Sequence, residues 1–308
     1  MHRVYLAGLR NAPPAAGGVV MATGIVSVDL SSAGHETLSR GLLVIAGAVW
    51  LALFAVFVAR AVRRPARFRA DAATPAALTA VAASEVLGTR LTLLGRDWAG
   101  FVFLVVALGF WLPLVALVLR AWATPTVGVS FMLAVSAESI AVLSATLGAA
   151  VDAPGLAYAA LVPFVLGLGA YVFVLARFDL RELLTGRGDH WVTGGALAIC
   201  TLAAGRIALG GAGLPDAVLV GLWVAAMAWL PVLVAAEVIR PRLGYDVRRW
   251  ATVFPLGMYA ACSFVVATAV HDGGLRRFAQ AWTWVAAAGW LAVLIAAVVR
   301  TPSTPPRT

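Results

Sequence analysis

The chain has no lysine, and charge of either sign is scarce. Charged residues make up 12% of its 308 positions, against about 25% in a soluble domain. A surface so poor in charge cannot face water, so a soluble enzyme is excluded. Disorder, which needs low hydrophobicity and high net charge, is excluded too. Cysteine is limited to Cys200 and Cys262, in separate apolar stretches with no metal or redox spacing. They read as small buried hydrophobes. His2, His35, His190 and His271 all fall at the ends of apolar runs or in loops. There is no HExxH, no glycine loop ending in GK[ST], and no aspartate at the centre of an apolar run. Gly186-Arg187-Gly188 is too short to signal a nucleotide site. An enzyme needs convergent acids, bases or metal ligands. Neither an enzymatic activity nor a metal or cofactor is therefore expected. A receptor or scaffold needs a binding surface on its loops, and these are short and mostly basic.

What the chain does have is apolar residue. The hydrophobic share is 62% and the mean hydropathy +0.94. About 20 apolar residues span a bilayer as a helix. Ten such segments are expected, at about 14–33, 39–59, 75–94, 98–119, 129–150, 155–176, 190–209, 216–239, 246–270 and 278–299. They fill most of the chain, which reads as a single transmembrane domain over 1–308, all-α and polytopic. The apolar stretch before Asn11 is too short for a signal peptide, and Pro13-Pro14 follows. The first span is thus expected to be retained.

The net charge of +9 comes entirely from arginine. The arginines lie between the apolar runs, not on one face, which argues against a nucleic-acid partner. With ten spans, seventeen fall on the termini and the loops after even spans: Arg3, Arg10, Arg60, Arg63, Arg64, Arg67, Arg69, Arg120, Arg177, Arg181, Arg187, Arg240, Arg242, Arg248, Arg249, Arg300 and Arg307. Six fall on the other side: Arg40, Arg90, Arg96, Arg206, Arg276 and Arg277. This bias places both termini in the cytoplasm of a cell whose plasma (inner) membrane holds the protein.

The spans fall into two populations. Roughly half of the residues in the odd spans are Gly, Ala, Ser or Thr, against roughly a third in the even ones, which carry Leu, Val, Phe and Trp instead. Bulky apolar side chains suit lipid. Small ones allow close packing or leave room for a lumen, and hydroxyls find hydrogen bonds there. The odd helices are expected inside and the even ones outside. One hairpin repeats five times, with loose phasing visible in VMATGIVS, VAASEVLG, AVSAESIAVLS, LAICTLAAG and FPLGMYAACS. Five interior helices about one axis either enclose a conduit or form a solid bundle. Thr23, Gly24, Ser27, Ser139 and Thr201 are candidates to line a conduit.

Charge at membrane depth is costly and points to function. Four such residues lie in odd spans: Glu85, Arg90, Glu138 and Arg206. Glu85 sits about 15 Å and Glu138 about 14 Å along their spans. Arg90 and Arg206 lie about 22–24 Å along theirs, nearer the outside. The glutamates are candidate lining or proton-carrying groups, or partners in structural ion pairs. The arginines are candidates to attract anions, and Arg206 equally to snorkel to the interface. Pro255 interrupts the ninth span directly after Phe254. A proline kink there aims the Phe254 ring at the axis if the helix lines a conduit. The same step is otherwise an ordinary kink beside a core Phe, since Pro113, Pro163 and Pro231 interrupt even spans.

VVMATGIVSVDL in the first span, DHWVTGGALAI entering the seventh and WATVFPLGMYAACS in the ninth resemble the tellurite-resistance/dicarboxylate transporter family. Its superfamily includes slow-type guard-cell anion channels, malate permeases and sulfite exporters. The resemblance spans nearly the whole chain. It implies a quasi-five-fold ring of five helical hairpins around a central pore, and a homotrimer with one pore per subunit. It also implies that Phe254, in the matching Phe-Pro step, occludes the pore. The expected function is transmembrane movement of small inorganic or organic anions. The alternative is proton-coupled transport of a dicarboxylate, sulfite or tellurite-like oxyanion, with Glu85 or Glu138 carrying the proton.

Overall fold

A computed structural model describes residues 12–242 and 244–299. His2, Arg3, Arg10, Arg300 and Arg307, counted above, lie outside the described residues. Within them the chain is helical, with one isolated bridge between Thr126 and Phe178 and no strand. Ten long helices are present: α1 Gly17–Ser32, α2 Glu36–Arg63, α3 Thr79–Thr92, α4 Asp97–Arg120, α5 Met132–Ala150, α6 Pro154–Leu175, α7 Val192–Ile207, α8 Asp216–Ile239, α9 Trp250–Ala269 and α10 Gly273–Val299. Nine of them, extended by their flanking turns, are long and apolar enough to cross a membrane. The exception is α3, at 14 residues and carrying Glu85 and Arg90. With its entering turn, Pro75–Leu78, it runs to Thr92, close to the expected 75–94, and it is Glu85 and Arg90 that lower its hydropathy.

The hairpin repeat is visible in the backbone. Each odd helix is entered through a 3-10 turn: Pro14–Ala16, Pro75–Leu78, Gly128–Phe131, Asp189–Trp191 and Val247–Arg249. Pro14 and Pro75 suit the first turn of a helix, where the proline lacks only an N–H that has no intrahelical partner. Each odd helix leaves through a short turn holding a positive-φ residue. These are Gly34, Gly95, Asp152, the pair Gly211 and Gly213, and His271. A left-handed residue past the helix end reverses the chain and satisfies the last carbonyls. Asp152 and His271 show that the turn is required even where glycine is not supplied. After α7 the path is longer, because a π turn over Ala208–Ala212 precedes the reversal.

Within each hairpin the odd helix packs on the even helix that follows. The odd helices also pack on one another. α1 contacts α3, α3 contacts α5, α5 contacts α7, α7 contacts α9, and α9 returns to α1. Burial follows the same division. In the spanning windows of α1, α5, α7 and α9, 78–94% of residues are buried, against 6–28% in the even helices. The even helices carry the exposed apolar side chains, among them Val44, Leu51, Val102, Val165, Val238 and Leu291. That face suits lipid and no aqueous phase.

The outer layer is fastened to the inner one by tryptophan. Trp50 of α2 donates its indole N–H to Ser84 Oγ of α3 at 3.0 Å, and Trp111 of α4 to Ser136 Oγ of α5 at 3.2 Å. Trp223 of α8 donates to Ser263 Oγ of α9 at 2.8 Å, and Trp290 of α10 to Thr23 Oγ1 of α1 at 2.9 Å. Four of the five junctions between an even helix and the next odd helix thus share one bond. At the arginine-rich end, Glu237 accepts from Arg242 at 3.0 Å and lies 3.0 Å from Arg249, tying α8 to the turn before α9.

Candidate functional site

The repeat brings one stripe of each odd helix to a common space. At 3.6 residues per turn, side chains three or four apart share a face. Ile25 and Val28 of α1, Ala82, Glu85 and Thr89 of α3, and Ser139 and Val142 of α5 follow that spacing. So do Ile199, Leu202 and Arg206 of α7, and Phe254, Met258, Ala261 and Val265 of α9. Together they line a cavity of about 310 Å³. Arg276, near the start of α10, reaches the same cavity. The cavity lies toward the ends at which the odd helices finish. A second, far smaller cavity of about 30 Å³ lies toward the ends at which they begin. Gly18, Met21, Thr79, Met132, Val192 and Ala251 are among its walls. Phe254 lines both cavities, and its side chain is buried.

The position of Phe254 depends on how α9 meets α7. A Cβ added to Gly195 would lie 2.6 Å from Pro255 Cγ. Glycine at 195 therefore lets the proline step of α9 rest directly on α7, at the level of the Phe254 ring. Sequence reading placed Gly195 inside the DHWVTGGALAI motif without assigning it a contact. Pro255 itself packs on α7 and is not part of either cavity's wall.

Several expected lining residues turn elsewhere. Thr23 accepts from Trp290 and donates to the Val19 carbonyl at 2.7 Å. Gly24 faces α3, where an added Cβ would meet Val86 Cγ1 at 2.7 Å. Ser27 donates to the Ser39 carbonyl of α2 at 2.7 Å. Thr201 bonds back to the Leu197 carbonyl of its own helix at 2.9 Å. Glu138 points at α6, and its Oε1 stands 2.6 Å from where a Cβ on Gly167 would be. The common reason is the helical angle. Small and hydroxyl-bearing residues surround each odd helix on most sides, and composition does not say which face points inward.

The four charged candidates separate in the same way. Arg90 is fully buried but faces α2. Its Nη2 donates to Glu36 Oε2 at 2.7 Å and its Nε to Ser39 Oγ at 2.9 Å. It fixes the α2–α3 register and is absent from the cavity wall, so the expected anion-attracting role does not fall to it. Arg206 and Glu85 both line the cavity. Neither carboxylate oxygen of Glu85 has a hydrogen-bond partner, and neither does Arg206 Nε. Burying an unpartnered charge is costly, so these two groups are held there against a stability penalty. Ser139 lines the cavity as well.

Two polar residues escaped sequence reading. Arg276 was counted only as a loop arginine. Asp29 enters the sequence reading only as part of the VVMATGIVSVDL motif. It is buried, without a hydrogen-bond partner, and its Oδ2 lies 3.1 Å from a Cβ position on Gly257 of α9. The DL pair near the end of the first motif was the available signal for it. No cluster of His, Cys, Asp or Glu among the described residues is arranged to hold a metal ion.

Two relatives are uncharacterised membrane proteins of Mycobacterium tuberculosis, from strains CDC 1551/Oshkosh and H37Rv. Each is 32% identical over 120 residues, covering 35% of this chain and 61% of the relative. The aligned part therefore spans less than two thirds of the relatives' own length. The family model for voltage-dependent anion channels matches residues 11–298, nearly the whole chain and all ten helices. The protein is a polytopic membrane protein that belongs to the voltage-dependent anion channel family.

Proposed function

We propose that the chain moves small anions across the membrane through a pore within each subunit, and that the Phe254 ring occludes the pore. The five odd helices would form the pore wall as a quasi-five-fold ring of hairpins, with the even helices against lipid. The closed circuit of contacts from α1 through α3, α5, α7 and α9 supports that arrangement. The arginine bias supports placing both termini in the cytoplasm, with the large cavity opening outward from an inner membrane. A homotrimer with one pore per subunit completes the reading, on the strength of family membership.

The single observation that carries the proposal is that Phe254 is the one aromatic side chain common to the walls of the two cavities. A hydrophobic ring between two spaces closes a path to ions by excluding water. Arg206 and Arg276 at the wide cavity supply the positive field that concentrates anions. Ser139 adds a hydroxyl to the wall. The experiment is electrical recording from purified protein in bilayers, wild type beside Phe254→Ala. The alanine variant is expected to conduct far more, and equal conductance removes the assignment.

The second reading is proton-coupled transport of a dicarboxylate, sulfite or tellurite-like oxyanion. One observation favours keeping it: Glu85 faces the cavity where the anion would pass, whereas Glu138 faces α6. Coupled transport would require a pH gradient and would fail in Glu85→Gln. Uncoupled flux would follow voltage alone.

A further inference from the structure

The large cavity carries a charge of the wrong sign for its proposed cargo. Glu85 of α3 is among the residues that line it, at 1% exposure, and both carboxylate oxygens are buried without a protein hydrogen-bond partner. Arg206 and Arg276 share the cavity, and neither pairs with Glu85. The remaining charged and titratable groups on elements packed against α3 do not line it. Asp29 of α1 lies against α9, Glu36 of α2 is bonded to Arg90 and Arg40, and Glu138 of α5 lies against α6. Asp97 stands at the first turn of α4. Glu85 is therefore the one carboxylate among the residues that line the cavity with Arg206, Arg276 and Phe254.

We infer that Glu85 is the charge filter of this cavity and sets which anions proceed to Phe254. The inference rests on the reading of the cavity as an anion path. With Glu85 neutral, an anion drawn in by Arg206 advances along a wall of Ser139, Met258 and Ala261. With Glu85 ionised, the anion is held back by like charge in a narrow, poorly solvated space, where such repulsion is far stronger than in water. Among the described residues no protein hydrogen-bond donor reaches Glu85 to hide that charge. The filter needs no proton to cross with the anion, which separates it from coupled transport. It also makes the path selective by charge state: monovalent anions pass on acidification, and divalent ones remain disfavoured.

The test is chloride flux from proteoliposomes with the same pH on both sides, at about pH 3.5 and about pH 8, which lie on either side of the usual glutamate value. The proteins are wild type, Phe254→Ala, Glu85→Gln and the double variant. In the Phe254→Ala background, Glu85→Gln is expected to raise flux about tenfold at the higher pH and by less than about twofold at the lower. Identical pH dependence with and without Glu85→Gln overturns the filter. So does flux that appears only under a pH gradient and vanishes in Glu85→Gln, which assigns Glu85 to proton carriage instead. If Phe254→Ala conducts no more than wild type, the Phe254 assignment falls, and Glu85→Gln against wild type still decides the filter. Should Glu85→Gln not yield folded protein, Arg206→Gln replaces it. Removing the opposing cation is expected to widen the ratio of acid to alkaline flux, and an unchanged ratio overturns the inference.

Discussion

α4 and α5 lie side by side and are built on opposite terms. In α4, Val102, Val105 and Leu112 stand outward, each more than half exposed. In α5, every residue from Met132 to Gly148 is buried, and many of those residues are Ala, Ser or Thr. In a water-soluble bundle the large apolar residues would go inside. Here the surroundings are as apolar as leucine, so transfer from water gives no reason to hide a large side chain. Helix association then depends on close approach and interhelical hydrogen bonds. Small residues inside serve both needs, and the stripe they leave unfilled becomes the cavity. The inner layer is thus where packing is tight and where polar atoms are placed.

The largest effect that would break this comparison is at the one bulky side chain common to both inner cavities. Phe254→Ala is expected to raise conductance by about two orders of magnitude, the equivalent of roughly 2.7 kcal/mol of barrier. Single-channel or flux recording measures it. Next is a substitution that adds bulk where two inner helices touch. Gly195→Val must push against Pro255 and is expected to cost about 2 kcal/mol, read as a lower melting temperature in detergent. Gly47→Val on outer α2 meets nothing within 4 Å, and its change should stay within about 0.5 kcal/mol. Similar losses for both glycines would erase the distinction between the layers.

Two arginines sharpen it further. Arg90→Met removes the buried partner of Glu36, whose own carboxylate is 39% exposed and still meets Arg40. The expected loss is about 1–2 kcal/mol of stability, with flux per folded molecule unchanged. Arg206→Met removes a cation whose buried Nε lacks a hydrogen-bond partner and is expected to raise stability while reducing anion flux about threefold. The smallest effect is at the seam between layers. Trp223→Phe keeps an aromatic ring but deletes the indole N–H bond to Ser263, at an expected cost of about 0.6 kcal/mol.

Much of the fold was legible because membrane crossing is a strong constraint. Nine of the ten expected spans coincide with long apolar helices to within a few residues, since each helix must satisfy its own backbone in lipid. The third segment, Pro75–Thr92 with its entering turn, lies close to its expected place but is less apolar, because it carries Glu85 and Arg90. The candidate site was legible in part. Phe254, Glu85, Ser139 and Arg206 reach the cavity wall, whereas Thr23, Gly24, Ser27, Glu138, Thr201 and Arg90 face neighbouring helices. Depth along a helix follows from counting residues. Rotation about its axis does not, when small residues occur on nearly every side.

By itself, then, the sequence determined that the chain is a polytopic bundle of long apolar helices, which segments are slender, and how far along its segment each charge lies. Those properties are local, set by hydropathy, side-chain volume and the rise per residue. Only the tertiary structure decided that Arg90 would be consumed by Glu36 while Arg206 stayed unpaired, and that Thr23 would meet Trp290 from the far end of the chain. It also decided that Phe254 would stand where the two cavities meet. Those outcomes depend on which faces the helices turn toward one another, and that is fixed by contacts between residues distant in sequence.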